Sequence, residues 1–75
     1  MDIRRVFGAN VRVYRRAAGL SQEAVAARMG VDRAYISAIE RGRQNATLLT
    51  IWAVAQALGV RPADLIVEPA PKTKT

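Results

Sequence analysis

The stretch QEAVAARMGVDRAYISAIER, Gln22 to Arg41, decides the fold of this chain. Two short helices that cross steeply need a small side chain where their backbones approach, and Ala26 meets that need. The turn between them needs a residue that tolerates positive φ, which Gly30 supplies. Ile36 and Ile39 are three residues apart, so they share one face of the second helix and can anchor it against the first. The stretch therefore predicts two short helices joined by a tight turn.

Glycines divide the rest of the chain in the same way. Four of them follow apolar stretches of helical period, where a left-handed residue can end a helix: Gly19, Gly30, Gly42 and Gly59. They predict helices over about residues 3–18, 22–29, 33–41 and 48–58. The inward face of the first is predicted to hold Ile3, Phe7, Val11 and Tyr14, and that of the fourth Leu48, Ile51, Val54, Ala55 and Leu58.

Residues that cap helices agree with these starts. Ser21, Asp32 and Thr47 precede the second, third and fourth helices, where a side-chain oxygen can accept from an unpaired backbone N–H. Pro62 suits the first turn of a short fifth helix ending near residue 66 or 67, although Arg61 is a poor cap before it. No alternation of period two occurs. We predict an all-α, compact domain of four to five helices over residues 1–67, and a disordered tail over 68–75.

Length and composition narrow the function. Seventy-five residues suffice for one small domain, and the absence of Cys and His removes the usual metal ligands and the commonest general base. No spacing pairs a nucleophile with a base, so we expect no enzyme, no metal and no cofactor. Charged residues interrupt every apolar stretch, and no signal peptide opens the chain. We expect a soluble, cytoplasmic protein without a membrane partner.

The charge predicts a polyanionic partner. Twelve basic residues against six acidic ones give a net charge of +6, and nine of the basic but only four of the acidic residues fall within residues 1–45. Most of the cations are arginines, which can grip phosphate or a guanine edge with two hydrogen bonds. The alternative is a solvated helix surface that binds nothing.

The segments FGANVRVYRRAAGLSQ, VAARMGVDRAYISAIERG and TLLTIWAVAQALGV, in this order and spacing, resemble the DNA-binding domain of phage repressors and Cro proteins, the Xre-type helix-turn-helix. Within that family, DRAYISAIERGRQN is most similar to controller proteins of restriction-modification systems. The resemblance implies a lambda-repressor-like fold and a transcriptional regulator that binds double-stranded DNA. It also implies a homodimer on a roughly palindromic operator, and we expect no small-molecule effector.

By this resemblance the third helix lies in the major groove. Four residues face outward from its isoleucines and are the predicted base contacts: Arg33, Ala34, Ser37 and Ala38. Arg33 is the first choice for base readout because guanine offers two acceptors that match its guanidinium. A phosphate contact or an ion pair with Asp32 is the alternative.

The predicted phosphate contacts flank this helix: Gln22, Tyr35, Arg41, Arg43, Gln44 and Asn45. Tyr35 has an alternative as an aromatic packed against the domain. The resemblance also implies a structural ion pair between Arg15 and Glu40, and neither residue is predicted to contact DNA. Arg4, Arg5, Arg12, Arg16 and Arg28 remain unranked, as a diffuse field or as backbone contacts.

Trp52 and Leu49 stand off the inward face of the fourth helix. Exposing the sole Trp is unfavourable unless something covers it, which predicts a dimer interface of Leu49, Trp52, Leu65 and Ile66, with Val67 as a further candidate. Alternatively, Trp52 folds over the edge of the core. The same apolar surface also suits the leading alternative function, an antitoxin-like or adaptor module whose ligand is a protein.

Overall fold

In the computed structural model, residues 2–68 are described, and they form four α-helices followed by a 3₁₀ helix, with no strand among them. The helices are α1 (Ile3–Ala17), α2 (Gln22–Met29), α3 (Arg33–Glu40) and α4 (Leu48–Leu58), and the 3₁₀ helix is Pro62–Leu65. The all-α prediction is confirmed, with helix bounds within one residue of those expected for α1 to α4. All of the predicted tail but Glu68 lies outside the described residues.

Gly30 ends α2 in the left-handed conformation, with a φ of 71°, and lets α3 begin three residues later. A residue with a Cβ would be strained there. Positive φ is shared by the three other glycines that were predicted to end helices, Gly19, Gly42 and Gly59.

The predicted caps are present at two of three helix starts. The hydroxyl of Ser21 accepts from the backbone N–H of Ala24 at 3.0 Å, and Thr47 accepts from Thr50 at 3.1 Å. The prediction for Asp32 is wrong, because its side chain makes no capping hydrogen bond. Asp32 is exposed, so water can satisfy the first N–H groups of α3.

The last helix is shorter and tighter than predicted. Arg61 precedes it, as expected. The capping hydrogen bond comes from a side chain inside the helix, because the carboxylate of Asp64 accepts from the backbone N–H of Arg61 at 3.1 Å. Asn10, buried on α1, donates to the backbone oxygens of Leu65 and Val67, both at 2.9 Å. These hydrogen bonds fasten the 3₁₀ helix to α1.

One core joins all five elements. Ile36 and Ile39 of α3 are fully buried in it, as predicted, and they hold that helix against α1 and α2. Other members of the core are Phe7, Val11, Val25, Ala26, Val54, Ala55, Ala57, Leu58 and Leu65.

Three residues lie elsewhere than predicted. Leu65 is 0% exposed, so it belongs to the core and cannot contribute to a dimer surface. Leu48 is 85% exposed and Ile3 is 55% exposed, although both were predicted to face inward. Each is the first residue of its helix, at an end where the neighbouring elements do not cover it; in α4 the covered side begins at Ile51.

Gly8 sets the closeness of α1 and α3. A Cβ at this position would overlap the backbone oxygen of Ile39 and come within 3.0 Å of that of Glu40. Gly8 is helical and has no positive φ, so a glycine is needed here because it lacks a side chain. The close approach brings the C-terminal end of α3 onto α1, where the buried charges lie.

Candidate nucleic-acid interface

The surface of α3 is divided as the isoleucine spacing predicts. Ile36 and Ile39 are buried, whereas Arg33 and Ala34 are exposed and Ser37 and Ala38 are half-buried on the other side. The helix therefore presents a polar, arginine-bearing side outward from the domain.

Glu40, at the C-terminal end of α3, is the centre of a buried polar network. Its carboxylate lies 2.6 Å from Nε of Arg15 and 3.0 Å from Nη2 of the same residue, which is the predicted ion pair in bidentate form. Arg12 adds a longer contact at 3.4 Å, and Gln22 donates from Nε2 at 3.1 Å. Arg15 also donates to the backbone oxygen of Leu20. The network ties α1, α2 and α3 together at one point.

The charge state of Glu40 follows from these partners. Burial raises the pKa of its carboxyl group, but hydrogen bonds from Arg15 and Gln22 and the arginine charge outweigh burial and hold the pKa below its usual value. The hydrogen bond to Glu40 likewise raises the pKa of Arg15, against the opposing effect of burial. Both groups are charged at neutral pH, as a structural ion pair requires.

Gln22 connects this network to Arg33. Its Oε1 accepts from Nη1 of Arg33 at 3.1 Å, while its Nε2 donates to Glu40. Neither alternative considered for Arg33 anticipated this contact. Residues eleven apart on two different helices give no local signal in a sequence, so only the folded chain reveals the pairing.

Two other predicted DNA contacts have partners within the domain. The hydroxyl of Tyr35 lies 3.3 Å from that of Thr50, and the ring packs against the core, which agrees with the alternative stated for this residue. Arg41 donates to the hydroxyl of Ser37 one helical turn earlier. The hydroxyls of Tyr35 and Ser37 each keep a lone pair for a further hydrogen bond.

The loop after α3 carries the remaining predicted phosphate contacts. Arg43 and Asn45 are exposed and Gln44 is half-buried. Beside the start of this loop, three arginines line a groove of about 380 Å³: Arg5, Arg12 and Arg41. Its sole acidic lining residue is Glu40, which is already paired, so the groove is positively charged. Basic side chains therefore continue from α3 onto α1.

Arg28 does not belong to this basic surface. It donates from Nη1 to the backbone oxygen of Ala57 at 2.8 Å, near the C-terminal end of α4. A cation at that end satisfies a free carbonyl and suits the helix dipole. Its role is to join α2 to α4, which sequence reasoning did not identify.

A separate apolar surface lies on α4 and the C-terminal segment. Trp52 is 56% exposed, and Leu48 and Leu49 are neighbours of it at helical spacing. Ile66 and Val67 are exposed as well, and Ile66 lines a hollow of about 130 Å³ with Ile3, Phe7 and Ile51. We call Leu48, Leu49, Trp52, Ile66 and Val67 the apolar surface.

Residues 2–68 contain no group of three or more potential metal ligands among Asp, Glu, His and Cys. None of the helices in this range combines the length and the hydropathy that crossing a bilayer would require.

A short helix held by buried anchors, with an arginine-bearing side turned outward and a basic loop after it, defines a DNA-binding domain of the helix-turn-helix class. A helix-turn-helix family model matches residues 11–65, and the chain belongs to this family. It is a DNA-binding transcriptional regulator.

The chain is similar in sequence or structure to the following three proteins. The chain is 47% identical, over 66 residues, to the HTH-type transcriptional regulator y4dJ of Sinorhizobium fredii, covering 88% of this chain and 86% of that protein. The restriction-modification controller protein C.AhdI of Aeromonas hydrophila superimposes with a TM-score of 0.79 at 42% identity, covering 83% of this chain and 94% of C.AhdI. The controller protein C.Esp1396I, solved as a tetramer on its natural 35 base-pair operator, superimposes with a TM-score of 0.78 at 26% identity, covering 87% of this chain and 86% of that one.

Proposed function

We propose that this regulator binds a roughly palindromic operator as a homodimer, in the cytoplasm, and acts by occupying promoter DNA. The observation that carries the proposal is the division of α3, with Ile36 and Ile39 fully buried and Arg33 exposed on the opposite side. A helix held in this way can enter the major groove, which is wide enough to admit it.

Base readout is assigned to the outward residues of α3. Arg33 can bind the two acceptors of guanine with its guanidinium. Ser37 can bond a base or a phosphate, while Ala34 and Ala38 allow methyl contact or close approach. A single helix of this length reads few base pairs, so specificity for one site in a genome requires a second copy.

Phosphate contacts are assigned to the rim of α3. Gln22 begins α2, where backbone N–H groups and the helix dipole favour an anion. Tyr35, Arg41, Arg43, Gln44 and Asn45 complete the predicted set. Arg5 and Arg12 extend it, because their groove adjoins Arg41. Such contacts set affinity and register and leave the sequence preference to the bases.

The homodimer is assigned to the apolar surface. Leu49, Trp52 and Ile66 remain from the predicted interface. Leu48 on α4 and Val67 after the 3₁₀ helix are also exposed and are added in place of buried Leu65. A two-fold pair would present its two α3 helices about 34 to 36 Å apart, one turn of DNA. The tetramer of C.Esp1396I on 35 base pairs supports cooperative filling of adjacent sites by dimers of this chain too.

Selection of bound fragments from random duplexes tests the proposal. The expected product is an inverted repeat, because two copies related by two-fold symmetry read the same half-site in opposite directions. The Arg61→Ala variant should select the same repeat, since Arg61 is exposed just before the 3₁₀ helix and outside the proposed interface. A selection without enrichment, or one that yields a single half-site, would contradict the dimeric reader.

A salt titration separates this function from a protein-interaction module. Binding through several phosphates should weaken linearly on a plot of log affinity against log salt concentration. Apolar docking to a protein would change little over the same range.

A further inference from the structure

We propose that Asn10 is a positioning residue for dimerisation, because it holds segment 66–67, directly after the 3₁₀ helix, in place for the second copy. The inference rests on the homodimer proposed above. Asn10 is 9% exposed on α1, and its Nδ2 donates to the backbone oxygens of Leu65 and Val67, both at 2.9 Å. In sequence, these two carbonyl groups flank Ile66. Ile66 and Val67 are the part of the apolar surface that lies outside α4.

The chemistry of the amide fixes its orientation. Backbone carbonyl groups only accept hydrogen bonds, so both of them require the NH₂ end of Asn10. This group has two hydrogens, one for each oxygen, and its acceptors lie 55 and 57 residues away in sequence. Within residues 2–68, every buried side-chain nitrogen or oxygen has a hydrogen-bond partner. The amide is therefore a satisfied link between α1 and segment 66–67.

Asn10 lies among apolar residues. Val6, Phe7 and Val11 of α1 are all buried. Burying an amide costs free energy unless its hydrogen bonds are made, whereas an apolar residue of similar size would fill the space without that cost. A buried polar link that is fully satisfied instead specifies one arrangement of the elements that it joins. The advantage of an asparagine here therefore lies in where it holds the segment.

Segment 66–67 leaves the domain where regular structure ends. The 3₁₀ helix ends at Leu65, whose side chain is in the core, and Ile66 and Val67 follow it, 44% and 58% exposed. Ile66 lines the same hollow as Ile51 of α4, so the segment lies beside that helix. The hydrogen bond from Asn10 to Val67 fixes the chain two residues beyond the 3₁₀ helix. The two parts of the apolar surface, on α4 and in the segment, are thereby held in one arrangement.

A segment that is already fixed strengthens association between two copies. A segment that is mobile in the monomer loses backbone freedom when a partner covers it, and this loss weakens the affinity. A two-fold interface contains every contact twice, so the loss applies to both protomers. Ordering a single residue in each protomer is enough to change the dissociation constant by at least about tenfold.

The experiment measures dimerisation and half-site binding separately. Asn10→Leu keeps a side chain of similar size in the core and removes both donors. We expect its dimer dissociation constant in sedimentation velocity to rise at least about tenfold. Its affinity for a duplex with one half-site should be unchanged, because α3 keeps all of its contacts. Val25→Ala is the control for stability: it truncates a fully buried side chain on α2 and should lower the melting temperature without changing the dissociation constant.

Hydrogen exchange gives a readout that does not depend on the second copy. At concentrations where the protein is monomeric, peptides from residues 61–68 of Asn10→Leu should exchange faster, while those from α2 and α3 keep their rates. A uniform increase over all peptides would show that Asn10 serves general stability alone and would overturn the proposal. Asn10→Ser, whose single hydroxyl donor cannot serve both carbonyl groups, is a second substitution from which the same results are expected.

Substitutions in the segment separate this role from the proposed homodimer. Ile66→Ala combined with Val67→Ala should weaken dimerisation, and adding Asn10→Leu should weaken it no further, because Asn10 acts through the segment. If the pair weakens dimerisation and Asn10→Leu alone does not, the positioning role is wrong and the interface stands. A further loss in the triple variant would show that Asn10 acts elsewhere. If the pair has no effect, or the unsubstituted protein is monomeric at every concentration, the proposed interface is wrong and the role of Asn10 is rejected with it.

Discussion

The Glu40 carboxylate is completely enclosed by protein and lies 2.6 Å from Nε of Arg15, whose own side chain is 11% exposed. This pair joins the C-terminal end of α3 to α1, while Ile36 and Ile39 pack the helix against the core by apolar contact. An enclosed charge tolerates its position only with its partner present. The orientation of α3 therefore depends on an electrostatic contact at its C-terminal end, beside the basic groove that Glu40 helps to line.

Removing Arg15 should destabilise the fold strongly. Arg15→Ala leaves the Glu40 carboxylate with a longer contact to Arg12 and one hydrogen bond from Gln22, so we expect a loss of about 3–5 kcal/mol in the free energy of unfolding. Arg16→Ala is the control, because the adjacent side chain is exposed and should cost within about 0.5 kcal/mol. Urea denaturation measures both, and equal small losses would contradict a structural role for the pair.

Stability should fall in acid because of Glu40. Its pKa in the folded chain is below the ordinary value of 4.5, so the unfolded chain binds more protons between the two values. The stabilisation is fully present above pH 4.5 and is lost as the pH falls through the folded pKa. Asp2 behaves in the same direction, since its hydrogen bonds with Arg4 lower its pKa to about 2.

Comparison with Glu40→Gln isolates the contribution of Glu40 to this pH dependence. The aspartates remain in both proteins, so the difference between their curves of unfolding free energy against pH belongs to Glu40. That difference should shrink as the pH is lowered from 6 to 3, through the ordinary pKa of 4.5. A constant difference over that range would show that the pKa of Glu40 is the same in the folded and unfolded chains.

Gly8→Ala should separate α1 from α3. The added Cβ meets backbone, which cannot move aside as a flexible side chain would. We expect a loss at or above about 3 kcal/mol, the upper part of the range for overpacking, despite the better helix propensity of alanine. Gly19→Ala is the control: its Cβ meets open space and the cost is limited to about 1–2 kcal/mol from the positive φ. Thermal unfolding ranks the two, and a milder effect at Gly8 would contradict the close approach.

Local sequence patterns predicted the helices and the DNA-reading side because both depend on spacing along one segment. Glycines with positive φ marked the helix ends, and Ile36 and Ile39 defined the buried side of α3 without reference to other helices. The errors lie where a neighbouring element decides the outcome. Leu48 has the right period to face inward, but it begins α4, where no neighbouring element covers it. Leu65 is buried in the core beside Asn10, which donates to its backbone oxygen.

Contacts between side chains distant in sequence were mostly beyond prediction. The Arg15–Glu40 pair was anticipated only through resemblance to a family, and the position of Gln22 between Glu40 and Arg33 was not anticipated at all. Long polar side chains have several rotamers and several reachable partners, so their pairing is settled by the arrangement of three helices together.

Arg33 and Arg43 should differ in kind as DNA contacts. Arg33→Ala should relax preference at one operator position and cost about 1–3 kcal/mol of binding free energy, because a base contact is lost. Arg43→Ala should weaken binding to all sequences similarly and reduce the salt slope by about one, because a phosphate contact is lost. Titrations of operator and random duplexes at several salt concentrations measure both effects. An equal loss on both duplexes for Arg33→Ala would refute its base-reading role.

Trp52→Ala should shift the protein toward monomer. With 56% of its surface exposed, Trp52 covers little of the core. Its removal should therefore change the stability of the protomer little and weaken dimerisation through the apolar surface strongly. Gln56→Ala, one helical turn further along α4 and also exposed, is the matched control. Sedimentation velocity over a range of concentrations measures the dissociation constant of each variant. If Trp52→Ala instead lowers the melting temperature while dimerisation is unchanged, the tryptophan serves the edge of the core, and the interface must be sought on another side of the molecule.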